Sequence, residues 1–108
     1  MTAEYISPTL LEITLNNNSR TSIRLFTAGR KIRSIAPDSI ILHKDRKTQL
    51  RFPPEVSIAA GKSTTFVLII PKGSAHPGDT IIYNTISLLT TSNELNEGPF
   101  SLRATISQ

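Results

Sequence analysis

Apolar and polar side chains alternate along almost every segment of this sequence that is not a turn. Leu11, Ile13 and Leu15 alternate with polar residues, and residues 100–106 repeat the pattern near the C-terminus. A period of two places successive side chains on opposite faces of a β-strand, whereas an amphipathic helix has a period near 3.6. No segment keeps a helical period over ten residues. We therefore predict an all-β protein.

Turn residues divide the chain into about seven or eight predicted strands, spaced roughly as in a β-sandwich. We expect the most apolar strand, 64–70, to lie in the centre of a sheet with both faces covered. Residues 43–47 and 93–99 are predicted to be connections. A length of 108 residues suits one domain, so we predict a single antiparallel immunoglobulin-like β-sandwich over residues 1–108. The predicted strands are 11–15, 21–25, 40–42, 50–52, 56–58, 64–70, 81–90 and 100–106.

Composition excludes several classes of site. The chain has no cysteine, which rules out disulfides, a thiolate nucleophile and cysteine-ligated zinc. Its N-terminal residues lack the basic and apolar regions of a signal peptide, and no window approaches the ~18 apolar residues of a membrane-spanning helix. These features leave the cellular location open.

The segment 57–78, SIAAGKSTTFVLIIPKGSAHPG, resembles one hairpin of immunoglobulin-like domains. It is similar to bacterial and archaeal modules of the NEW3-like or secreted-adhesin-like type, and more remotely to major sperm protein domains. Thr80 departs from the aromatic residue that such modules often carry after the last turn, although Tyr83 follows. The resemblance implies a non-catalytic accessory or surface module, with an extracytoplasmic location, and it transfers no site residue. Its features are the opening strand 11–16, Pro54, the turn at Gly61, the apolar strand 66–70 with Pro71, and Pro77-Gly78.

The sequence contains no recognisable catalytic constellation. His76 and Asp79 flank a Pro-Gly turn and could face one ligand, but a metal site needs a further histidine or carboxylate nearby. Turn chemistry favours an Asp79 side chain that caps its own backbone. Asp38 and His43 lack the nucleophile elbow that would indicate a triad with a serine. We therefore expect no enzyme activity, no metal and no cofactor.

Positive charge is concentrated between Arg20 and Arg51, where nine Lys and Arg residues face two Asp residues for a net charge of +7. Clustered cations release counterions from a polyanion, so nucleic acid, anionic lipid or an acidic polysaccharide is a possible ligand. Exposed aromatic residues that would stack on bases are not evident in this region. The simpler interpretation is that these charges are solvated loop residues that confer solubility and protect sheet edges. The candidate polyanion-binding residues are Arg24, Arg30, Lys31, Arg33, Lys44, Arg46 and Lys47.

The leading functional hypothesis is a non-catalytic interaction or structural module that belongs to a larger assembly. It would bind a protein partner or a second copy, with strand addition at a sheet edge as one route. Residues 21–26 and 100–106 are the predicted edges. Carbohydrate binding is disfavoured because the chain has no Trp and two Tyr. Asn17 begins an N-glycosylation triplet that also reads as a turn.

Overall fold

The computed structural model describes residues 1–27, 39–90 and 95–108. It confirms the all-β prediction, since 62% of the chain is strand and the described residues include no helix. No described segment therefore provides a helix that could cross a membrane. In chain order the strands are β1 (Thr2–Ser7), β2 (Leu10–Asn16), β3 (Ile23–Phe26), β4 (Ser39–His43), β5 (Arg46–Leu50), β6 (Glu55–Ile58), β7 (Ser63–Ile69), β8 (Thr80–Thr90) and β9 (Leu95–Ser107).

The strands form a curled mixed sheet in the order β5-β4-β8-β9-β1-β2-β7, and β3 joins both β6 and β8. The pairing of β1 with β9 is parallel, whereas the other pairs are antiparallel. The prediction of seven or eight antiparallel strands therefore missed β1 and this parallel pair. A bulge between Tyr5 and Ser7 breaks the alternation of β1. Ala3 is the buried residue of β1. Because alanine is small, the sequence of β1 gives only a weak indication of an apolar strand face.

Two predicted connections are partly strand. β5 begins at Arg46, directly after the turn at Lys44, whose φ of 54° lies in the left-handed region. The charged residues of β5 are exposed, which hid its strand character in the sequence and shifted the predicted strand to 50–52. β9 begins at Leu95, so most of the predicted connection 93–99 is also strand, and residues 93 and 94 lie outside the described residues.

The predicted positions of the central and edge strands are wrong in three places. β7 lies at one end of the sheet rather than in its centre. The proposed edge 21–26 contains β3, which is bonded on one side to β6 and on the other to β8. The proposed edge 100–106 belongs to β9, which lies between β8 and β1. Sequence patterns report which faces of a strand are apolar, but they do not report its neighbours.

The core forms where the curled sheet brings its apolar faces together. Leu11, Ile13 and Leu15 of β2 are almost completely buried, as their alternation predicts. Phe52 packs between aromatic neighbours, with Tyr83 stacked on it and Phe66 edge-on. Other buried residues include Ile41, Ile58, Leu68, Ile70, Ile81 and Ile106.

Candidate functional site

The turn before β8 is closed by its own aspartate. Asp79 donates its backbone N–H to the carbonyl of His76 (3.0 Å), and its Oδ2 accepts the backbone N–H of His76 (2.8 Å). Gly78 has a φ of 96°, a conformation that residues with a Cβ rarely adopt. Asp79 thus caps the turn in the way that turn chemistry predicts.

Backbone hydrogen bonds also fasten this turn to β9. Gly78 donates its N–H to the carbonyl of Ile106, and Ile106 donates its N–H to the carbonyl of Asp79, both over 2.8 Å. Ile106 is itself part of the buried core. The carboxylate of Asp79 therefore projects from a backbone that is held at both of its polar groups.

His43, at the end of β4, completes a three-residue group at this turn. Its Nδ1 lies 2.6 Å from Oδ1 of Asp79, and its ring stacks on that of His76 with 4.2 Å between centroids. His76 Nδ1 lies 3.5 Å from Asp79 Oδ2. One ligand atom from each residue lies within 4.8 Å of the other two. We call these three residues the His–His–Asp cluster.

Burial and hydrogen bonding act in opposite directions on the carboxyl group of Asp79. Its side chain is only 9% exposed, and this desolvation raises its pKa. The hydrogen bonds from His43 and from the backbone of His76 lower it, and attraction to the two imidazoles lowers it further. The net result is a pKa below the ordinary value of 3.8, so Asp79 is ionised at neutral pH.

Strand register explains why sequence reasoning identified only two members of the cluster. His76 and Asp79 are three residues apart, whereas His43 lies 36 residues before Asp79. Leu42 of β4 is directly opposite Thr80 of β8, so the residues just beyond this pair, His43 and Asp79, become neighbours. No local spacing in the sequence carries this information. The His–His–Asp cluster combines an anionic oxygen with imidazole nitrogens, a donor set that can hold a proton or a metal ion.

Only part of the predicted polyanion-binding set lies together. Lys44, Arg46 and Lys47 are exposed on the β4–β5 hairpin, next to the His–His–Asp cluster. These three cations form the hairpin patch. The remaining candidates are separate from it or lie outside the described residues, as is the case for Arg30, Lys31 and Arg33.

Arg24 belongs to a different region of the sheet. It is paired across strands with Leu89 of β8, whereas the hairpin side of β4 reaches β8 at Thr80. Nine residues of strand separate these positions, or about 30 Å at 3.4 Å per residue. Arg24 also makes an ion pair with Glu55 at 3.5 Å. The structure therefore does not bring Arg24 to the hairpin patch.

Apolar side chains are exposed on β7. Val67 is 54% and Ile69 is 85% exposed, and they point to the same face because β7 alternates. Among the described residues, β7 is hydrogen-bonded along its length to β2 alone, and we call its other edge, which has no strand partner among those residues, the open edge. Of the strands that end the sheet or its branch, β5 carries Arg46 and Lys47, and β6 carries Glu55. β7 carries no charged residue.

Asn17 has a structural role at the end of β2. Its side-chain Nδ2 donates to the carbonyls of Thr21 (2.8 Å), Ile58 (3.0 Å) and Ala59 (3.2 Å). Its Oδ1 accepts from the backbone N–H and the hydroxyl of Ser19. Asn17 is only 4% exposed. The amide nitrogen that a glycan would modify is therefore buried and occupied.

No protein-family model matches this chain, and no curated protein matches it significantly.

Proposed function

We propose that this protein is a non-catalytic interaction module in which the open edge of β7 binds an extended strand of a protein partner. The observation that carries the proposal is the combination of an open edge, two exposed apolar side chains and the absence of charge within one strand. In strand addition, backbone groups supply affinity and alternate side chains supply specificity.

Pairing within the sheet supports an immunoglobulin-like sandwich as the scaffold. β1, β2 and β7 form one group of neighbours, and β6, β3, β8 and β9 form another. Two groups of mostly antiparallel strands around one apolar core are typical of that architecture, and here the β1–β9 pair joins the two groups. The resemblance to NEW3-like or secreted-adhesin-like modules agrees with this scaffold and with a role in a larger assembly.

The chemistry of β7 differs from that of a protected edge. Natural sheet edges carry charged residues, especially lysine, or proline, and these block pairing with another chain. The sequence of β7, STTFVLI, has neither. Its uncharged outer face presents Val67 and Ile69 at alternate positions, two residues apart, which match the pockets or side chains of an added strand. Exposed apolar residues that lie together are typical of interaction sites.

The first experiment selects peptides from a displayed library of random extended sequences, with the 108-residue chain as the target. We expect the selected peptides to alternate apolar and polar residues. Amide hydrogen exchange of β7 should slow when a selected peptide is bound, because the open backbone groups become paired. A selection without enriched sequences, or with peptides that leave β7 exchange unchanged, would contradict the proposal.

Substitution Val67→Lys provides the matched test. Val67 is opposite Glu12 in the register, so a lysine there gains a cross-strand partner and should leave the fold intact. Peptide affinity should fall at least tenfold, whereas Thr105→Lys, an equal charge change at an exposed position of β9, should have no effect. Sedimentation equilibrium then identifies the source of the strand: a dimer that Val67→Lys dissociates means that a second copy supplies it.

Polyanion binding is the alternative function that we propose, and the hairpin patch is the observation that favours it. Lys44, Arg46 and Lys47 are exposed within four residues of one hairpin, with Arg46 and Lys47 on opposite faces of β5. Charged residues on an end strand also prevent edge pairing, and this role accounts for Arg46 and Lys47 without a ligand. The two explanations predict different affinities of the protein for a polyanion at physiological salt, and a titration measures this affinity directly.

A further inference from the structure

We propose that the His–His–Asp cluster is a binding site for a divalent transition-metal ion, with Zn²⁺ as the first candidate. His43, His76 and Asp79 would be its ligands. The sequence alone predicts no metal site because only His76 and Asp79 are close in it, and the fold supplies the missing third ligand. This inference does not depend on the proposed function of β7.

The donor atoms are those that zinc prefers. Imidazole nitrogen suits Zn, Cu and Ni, and a carboxylate oxygen is the common third ligand beside two histidines. Three protein ligands leave one tetrahedral position for water or for a donor from a partner. The chain contains two histidines and no cysteine, so every imidazole it can offer lies in this cluster.

Distances within the cluster are close to those of a bound state. Ligand atoms on a tetrahedral zinc lie about 3.3 Å apart when each bond is about 2.0–2.1 Å. Here Nδ1 of His76 lies 3.5 Å from Oδ2 of Asp79, and Nδ1 of His43 lies 2.6 Å from Oδ1 of the same carboxylate, so this second pair would widen by about 0.7 Å around the ion. The three ligand atoms lie at most 4.8 Å apart, so no pair of them needs to approach by more than about 1.5 Å. Both imidazoles are partly exposed, which leaves room for their rotation in that adjustment.

The surroundings of the cluster orient its ligands. The backbone N–H of His76 holds Oδ2 of Asp79, which leaves Oδ1 directed at His43. Hydrogen bonds to a ligating carboxylate are the usual second layer of a metal site. His76 is 52% exposed and so offers the ion a path from solvent. His43 and the turn come from separate elements, so one ion would link β4 to the start of β8.

A titration of the 108-residue chain with Zn²⁺ tests the proposal, and isothermal calorimetry reports affinity and stoichiometry. We expect saturation at one ion per chain. In NMR spectra the ring signals of both histidines should shift together with the carboxylate signal of Asp79. Co²⁺ should give the intense visible absorption of a four-coordinate site, and Zn²⁺ should displace it.

Variants separate this site from weak surface binding. His76→Ala should lower the affinity at least tenfold, since even the loss of an outer hydrogen-bond partner costs about 10–100-fold. Because the His76 side chain is exposed, His76→Ala should not disturb folding. Asp79→Asn and His43→Ala should also lower the affinity for Zn²⁺. Asp45→Asn, an equal charge change at an exposed residue of the same hairpin, should bind like the original chain. The proposal is overturned by the absence of saturable binding, or by an affinity that His76→Ala leaves within twofold.

Discussion

The ring of Phe52 lies parallel to the ring of Tyr83, with 4.0 Å between their centroids and 7° between their planes. This stack places the Tyr83 hydroxyl in the core, where it finds no hydrogen-bond partner among the described residues. Burial raises the pKa of Tyr83 to about 12. Desolvation of the Tyr83 hydroxyl therefore opposes folding.

Replacement of Tyr83 by phenylalanine should stabilise the protein. A buried hydroxyl without a partner costs about 1–3 kcal/mol, so we expect Tyr83→Phe to increase the free energy of unfolding by about 1 kcal/mol. Urea denaturation at pH 7 measures this. A loss of more than about 1 kcal/mol would mean that the hydroxyl is bonded in solution.

The same residue predicts an alkaline loss of stability. Because the folded pKa of about 12 exceeds the ordinary value of 10, ionisation of Tyr83 does not reduce stability below pH 10, and above pH 10 the unfolded chain ionises first and is favoured. Between pH 10 and 12 the original chain should lose about 2–3 kcal/mol relative to Tyr83→Phe. The comparison cancels lysine titration, which both proteins share. Parallel stability curves for the two proteins would contradict the prediction.

Asn17 should be essential for stability, whereas its neighbour should not. Asn17→Ala removes the side chain that joins the end of β2 to three backbone carbonyls, so the buried carbonyl of Ile58 and two part-buried carbonyls lose this donor. We expect a loss of about 2–4 kcal/mol in chemical denaturation. The exposed Asn18 is the matched control, and Asn18→Ala should change stability by less than about 0.5 kcal/mol. Similar losses of stability for the two variants would contradict the structural role assigned to the Asn17 side chain.

Leu11 and Ile69, which lie on the neighbouring strands β2 and β7, should respond very differently to truncation. Leu11 is completely buried, so Leu11→Ala should cost about 2–5 kcal/mol. Ile69 is 85% exposed, and Ile69→Ala should cost less than about 0.5 kcal/mol in the isolated chain. Denaturant midpoints check both values. A large loss for Ile69→Ala would show that another surface covers it in solution.

Asp79 should make the fold sensitive to acid. Its pKa in the folded chain lies below the ordinary 3.8, so the ionised carboxylate stabilises the fold above about pH 4. That contribution disappears as the pH falls through the folded pKa. Asp79→Asn lacks the ionisation, and its stability should therefore approach that of the original chain as the pH is lowered below 4. Thermal unfolding from pH 7 to pH 2 measures the convergence, and a constant difference would contradict it.

The hairpin patch should bind polyanions weakly. Each phosphate contact contributes about −0.9 to the slope of log affinity against log salt on duplex DNA, so its three cations give at most about −2.7. We expect binding to heparin, DNA and anionic vesicles to vanish near 150 mM salt, where exposed charges are screened beyond about 8 Å. Submicromolar affinity at that salt, lost on charge reversal of Lys44, Arg46 and Lys47, would favour the alternative function.

Local sequence determined the strand type and much of the core. The alternation at Leu11, Ile13 and Leu15 correctly predicted both β2 and its buried face. It could do so because the period of side chains along an extended backbone is a local property. The Pro-Gly turn before β8 was likewise readable, since the conformations of proline and glycine depend little on distant residues.

Tertiary structure decided which strands became neighbours. The same apolar pattern that suggested a central β7 fits an end strand, because side chains do not specify how many partners a backbone has. The cluster at Asp79 shows the same limit, since only the β4–β8 register brings His43 to it. A register shift of one residue would direct His43 to the opposite face of the sheet. Sequence therefore set the chemistry of each face, while long-range pairing determined which chemical groups meet.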